Sequence, residues 1–135
     1  MDNPYNKEKV HEGFEKAKHI LDRGEYEESI LLFSELIDFC EPFKDDEDAE
    51  IIIHSSLNNR GVGRCKLALR KKDEALYREG LNDFENAINN YYTSKEDEKR
   101  GLTASSNLRY GQKELETFGK DDDKNTGTDF RSLFE

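Results

Sequence analysis

What the chain lacks narrows its options first. Only two prolines occur, at Pro4 and Pro42. Little therefore interrupts long helices, because proline removes a backbone donor and clashes inside a helix. No run approaches the ~20 apolar residues needed to span a bilayer, so no membrane partner is expected. The opening Met1-Asp2-Asn3-Pro4-Tyr5 has neither a basic start nor an apolar stretch and is not expected to act as a secretory signal. Cys40 and Cys65 are lone thiols inside apolar runs, expected to be small buried hydrophobes in a reducing, cytoplasmic compartment. Positive charge is scarce as well: 21 Lys and Arg against 31 Asp and Glu leave a formal net charge of −10. Direct nucleic-acid binding, which depends on basic residues neutralising phosphates, is not expected.

The motifs of catalysis and cofactor binding are missing too. There is no glycine-rich phosphate loop, no His-Glu-x-x-His and no Cys-x-x-Cys. His11 and His19 lie eight residues apart, too far for routine chelation of one ion, and His54 is isolated. Asp121-Asp122-Asp123 lacks the spacing of a calcium loop with its bidentate terminal Glu. Carboxylates are so numerous that no catalytic pair stands out. The reading is a protein that is not an enzyme, with no catalytic residue, no metal and no cofactor.

What is present is helical periodicity in a polar chain of 135 residues, 33% hydrophobic and 39% charged, a length that fits one domain. The apolar residues gather into stripes, which points to thin amphipathic helices. A first helix is predicted from near Asn6 to Arg23, stopped by Gly24 in a left-handed conformation. A second, about Glu25 to Cys40, carries Tyr26, Ile30, Phe33, Ile37 and Cys40 at spacings of 4, 3, 4 and 3, one continuous face. Pro42 and Asp45-Asp46-Glu47-Asp48 break the pattern, and those acids suit the positive end of the next helix dipole. The third helix spans roughly Glu47 to Arg70 and the fourth about Asp73 to Tyr92, with the stripe Tyr77, Leu81, Phe84, Ile88, Tyr91. Ser94 and Asp97 resemble a capping box opening a fifth helix, which carries Gly101, Ala104, Leu108, Gly111, Leu115 and Phe118. Residues 120–135 read as a flexible acidic tail ending in a short apolar motif, Phe130, Leu133 and Phe134.

Helix two overlays helix four at an offset of 51 residues: Tyr26 on Tyr77, Ile30 on Leu81, Phe33 on Phe84, Ile37 on Ile88. The run Gly24-Glu25-Tyr26-Glu27-Glu28-Ser29-Ile30, followed by Phe33 and Leu36, resembles the second-helix pattern of the tetratricopeptide repeat (TPR) family. Ala17 stands at the small position of a first TPR helix. Leu57-Asn58-Asn59-Arg60-Gly61 resembles the opening of another, with Gly61 at its small position. Gly80-Leu81, Phe84 and Ala87-Ile88 resemble the helix that follows. The resemblance covers most of residues 10–118. It departs from the family pattern at Gly13, where a large aromatic is usual, and in a second unit with seven more residues between landmarks. It implies an all-α fold over residues 1–119: TPR-like antiparallel helix pairs stacked in a short right-handed superhelix, closed by a C-terminal capping helix.

By the same resemblance, first helices line a concave groove that receives a peptide or a partner helix. That puts His11, Phe14, Lys18, Leu21 and Asp22 on the groove side of the first unit. Ser55, Asn58, Asn59, Val62, Cys65 and Lys66 take that side in the second. Asn59-Arg60 resembles the Asn-Arg pair of chaperone-binding TPR domains, in which the Asn amide helps hold the carboxylate of an acidic C-terminal tail, but Lys18 stands where those domains carry another Asn and no Lys and Arg pair is placed in a third unit. Arg60, Arg64, Lys66, Arg70, Lys71 and Lys72 concentrate positive charge on helix three, either a solvated face or a docking patch. Phe130, Leu133 and Phe134 have the i, i+3, i+4 spacing of a short helix face formed on binding. That tail would occupy the groove of its own or a neighbouring molecule, serve a separate partner, or stay disordered. The expected function is a protein-protein interaction module of adaptor or co-chaperone type, with self-association through groove or tail as a further option. The alternative is an acidic helical inhibitor that mimics nucleic-acid charge and blocks a nucleic-acid-binding protein.

Overall fold

The computed structural model describes residues 4–90, 98–119 and 127–134. It is all-α: α1 (Lys7–Asp22), α2 (Tyr26–Cys40), a 3-10 turn (Glu41–Phe43), α3 (Glu47–Lys71), α4 (Glu74–Asn90) and α5 (Glu98–Leu115). No strand occurs among the described residues. The Ser94–Asp97 capping box and Tyr91 lie outside them. No helix of the described residues is long and apolar enough to cross a membrane.

Local signals set the helix ends. The Asn6 side chain caps α1 by accepting from the Lys9 N–H at 3.2 Å, and Asp46 caps α3 by accepting from the Asp48 N–H at 2.8 Å. Such caps satisfy donors that the first helical turn leaves unpaired. Gly24 ends α1 with φ +78°, a backbone conformation that costs glycine no Cβ clash. At the end of α3 a lysine takes that left-handed role, Lys72 with φ 57°, and the sequence gives no glycine or asparagine to announce it.

Each helix packs on its chain neighbour, and α3 also touches both α1 and α5, whereas no contact joins α2 to α4 among the described residues. The odd-numbered helices therefore follow one another along one side, with α2 and α4 behind them. Being touched by every other helix explains why α3, 25 residues long, carries 15 buried residues. The two stripes matched at a 51-residue offset both point inward, with Phe33, Tyr77 and Phe84 each wholly buried.

The helices α3 and α4 approach each other closely where they cross. A Cβ on Gly61 would sit 2.7 Å from Phe84 and 2.9 Å from the Gly80 carbonyl, and one on Gly80 would sit 2.6 Å from the Cys65 sulfur. The two small residues singled out in the sequence thus meet each other, and their missing side chains let the backbones touch. Behind this crossing, Asp83 (2% exposed) accepts from Arg60 at 2.8 and 3.1 Å and from Arg64 at 2.9 and 3.1 Å. Paired and hydrogen-bonded in this way, a carboxylate can be buried.

Candidate functional site

The described C-terminal residues lie against the side formed by the odd-numbered helices. The chain turns at Gly127, where the Phe130 N–H donates to the Gly127 carbonyl at 3.1 Å, and runs without helix from Phe130 to Phe134. In this position the segment does not take the short helix that the i, i+3, i+4 spacing suggests for a partner-bound form. The reason is visible in its backbone: the groups a helix would pair internally are taken by side chains of the bundle.

Three asparagines make those bonds. Asn107 on α5 grips Arg131 at both ends, accepting from its N–H at 2.8 Å and donating to its carbonyl at 2.8 Å. Asn59 on α3 treats Leu133 alike, accepting from its N–H at 2.7 Å and donating to its carbonyl at 2.8 Å. Asn58 sits between them. Its amide donates to the Arg131 carbonyl at 3.0 Å and to the Asn59 oxygen at 3.2 Å, and its oxygen accepts from Asn107 at 2.9 Å. All three are at most 1% exposed. A primary amide offers one donor edge and one acceptor edge, so it pairs with a peptide unit as a neighbouring strand would.

Side chains of the segment find pockets around this ladder. Phe130, 3% exposed, packs against Tyr110 at 4.9 Å, Phe84 at 5.8 Å and Tyr77 at 6.3 Å between ring centroids. The pocket wall is fixed by Tyr77, whose hydroxyl donates to the Gly111 carbonyl at 2.9 Å. Leu133 is buried, and Phe134 is exposed with the Lys18 ammonium 4.2 Å from its ring centroid. Lys18 also donates to Asp22 at 2.8 and 3.0 Å. Lys66 is half-buried nearby. Desolvation lowers the pKa of its ammonium, partly opposed by Asp22 and reinforced by Arg131 and Lys18.

The structure sorts the residues singled out in the sequence. Lys18, Asn58, Asn59, Phe130, Leu133 and Phe134 come together in this site, with Lys66 at its edge. Phe14, Leu21 and Val62 are instead core residues, with Phe14 edge-on to Phe33 at 5.6 Å. Ser55 is buried one turn before Asn59, its hydroxyl without a hydrogen bond among the described residues. His11 pairs with Asp48 at 2.9 Å, and the same carboxylate accepts from Tyr5 at 2.5 Å. Asp48 lies ten residues before Asn58, about 15 Å along α3. Cys65 is wholly buried, and desolvation raises its thiol well above the ordinary range.

Two features of α3 singled out in the sequence have definite surroundings. The basic run on α3 does not form one patch: Arg60 and Arg64 turn to Asp83, Arg70 stacks on the Tyr26 ring at 4.6 Å, and Lys71 pairs with Glu27 at 3.1 Å. Asn59 holds the main chain of Leu133, while Arg60 faces α4. Sequence reasoning also missed Asn107. Its signal was the buried set Ala104, Asn107 and Gly111, whose 3, 4 spacing places a polar amide on an otherwise small-residue face. No family model, curated protein or solved structure matches the chain.

Proposed function

We propose that the protein is a non-catalytic, cytoplasmic, TPR-like module of adaptor type that binds another protein by taking an extended peptide along the side lined by α1, α3 and α5. The observation that carries this reading is the buried ladder of Asn58, Asn59 and Asn107 spent on the main chain of Arg131 and Leu133. Burying a primary amide is costly unless its hydrogen bonds are met, and a purely structural contact is made more cheaply by apolar side chains. Amides aimed at peptide units recognise any chain in the extended form, while the aromatic pocket and Lys18 select among such chains.

The test is selection of random nonapeptides displayed on phage against the immobilised chain carrying Phe130→Ala, followed by titration of the selected peptides in solution. Peptides that bind, and lose at least tenfold in affinity when Asn59→Ala is added, are the expected result. Selected peptides indifferent to Asn59, or none from a variant that keeps its helical circular dichroism, would remove the reading. A charge-driven inhibitor would lose its partner steeply as salt rises; binding through an apolar pocket and amides persists at 0.5 M salt, where the Debye length has shrunk to about 4 Å.

A further inference from the structure

We infer that the segment Gly127–Phe134 is a resident copy of the ligand, and that the foreign peptide this side receives carries the same pattern: Phe, two residues, Leu, then an aromatic. The inference rests on the peptide-binding reading above and adds to it the ligand's motif and a built-in competitor.

The pattern is read from what each position touches. The first position needs a flat ring, because Phe130 is stacked on Phe84 at an interplanar angle of 22° and set edge-on to Tyr110 at 74°. The fourth needs an aliphatic side chain, because Leu133 is buried while its own N–H and carbonyl are both held by Asn59. The fifth gains from an aromatic face under the Lys18 ammonium. The second position is nearly free: Arg131 is exposed, and among the described residues its guanidinium donates to the Thr128 carbonyl within the same segment.

Such a grip is reversible by its construction. Two side chains, Phe130 and Leu133, are buried, and the amides that hold the backbone between them would hold any other extended backbone equally. Seven residues separate Gly119 from Gly127, and a short connection of this kind holds a ligand at an effective concentration on the order of 1 mM. A competitor in solution therefore binds with an apparent affinity reduced by the fraction of molecules whose site is vacant. An intrinsic Kd on the order of 10–100 μM for the segment would weaken apparent binding about 10- to 100-fold.

The experiment titrates a fluorescein-labelled peptide of residues 127–135 into the full chain and into the full chain carrying Phe130→Ala with Leu133→Ala. The double variant is expected to bind at least tenfold tighter than the unaltered chain. Adding Asn59→Ala should abolish that binding. In the peptide, Phe130→Ala should weaken it about 30-fold and Arg131→Ala less than twofold. In case the double variant does not fold, hydrogen exchange on the unaltered chain with excess peptide reads the same event. The Arg131 and Leu133 amides of the chain should lose protection while α3 and α4 keep theirs. Equal affinities in the two chains, or tail amides that exchange only with global unfolding, would overturn the inference, as would concentration-dependent dimers exchanging this segment between copies. If phage-selected peptides bind through Asn59 but are not displaced by the 127–135 peptide, the motif fails while the peptide-binding reading stands.

Discussion

The two buried sides of α3 are built on opposite plans. Toward α4 the helix is fitted by shape: Gly61 and Gly80 bring the backbones together, and Asp83 locks Arg60 and Arg64 behind them. Toward α5 and the C-terminal segment it is fitted by hydrogen bonding, with Asn58, Asn59 and Asn107 matched to peptide units. The first plan tolerates one occupant, because close packing responds to a single added methyl. The second accepts any backbone of the right extension. A rigid side and a permissive side on the same helix separate holding the fold from holding a ligand.

The contrast can be broken at its rigid side first. Asp83→Ala should be the most damaging change, costing about 3 kcal/mol in urea unfolding, because it leaves two guanidinium groups without their shared buried acceptor. Gly80→Ala should cost about 2 kcal/mol despite the better helix propensity of alanine, since the new Cβ would lie 2.6 Å from the Cys65 sulfur. The permissive side should behave otherwise. Phe130→Ala and Asn59→Ala should each cost about 1–2 kcal/mol, and the pair together little more than the larger one, because a segment that has already let go has nothing further to lose. A double-mutant cycle of that pair, set beside one of Asp83→Ala with Phe130→Ala, measures the difference; simple additivity at the permissive side would contradict it.

The smallest effect is one of pH. Burial pushes the Cys40 thiol from its ordinary 9.0 to about 11, against a lowering contribution from the Tyr5 hydrogen bond. Burial likewise raises the phenols of Tyr5 and Tyr77. The folded chain keeps protons that the unfolded chain has already lost, so stability is complete below pH 9 and declines as pH climbs toward 11. Cys40→Ala should flatten that decline between pH 9 and 11. An unchanged slope would mean that Cys40 contributes nothing to it.

The helices were legible because their apolar spacing is regular, and so were Gly24 as a stop and Gly61 with Gly80 as small residues, each set by local sterics. Lys18, Asn59 and the Phe130, Leu133, Phe134 motif were legible as site candidates. Their joining stood only as one option among several, because it depends on a pairing across 74 residues from Asn59 to Leu133, which no local period encodes. The same i, i+3, i+4 spacing that suggests a helix also fits an extended run with its first and fourth residues buried. Asn107 was passed over because it stands beside the Leu108 stripe, and Asp83 because one acid among many carries no mark of the two arginines that will find it.

One consequence of the ladder concerns imino acids. The N–H groups at Arg131 and Leu133 are both consumed by asparagine oxygens, whereas the N–H of Ser132 makes no hydrogen bond among the described residues. A proline substituted at either of the first two places removes a required donor, yet at the place between them it would stiffen the chain in the extended form already used, and bias the residue before it the same way. The interaction should therefore exclude proline at every second position while welcoming it in between, a signature that side-chain preferences alone would not produce.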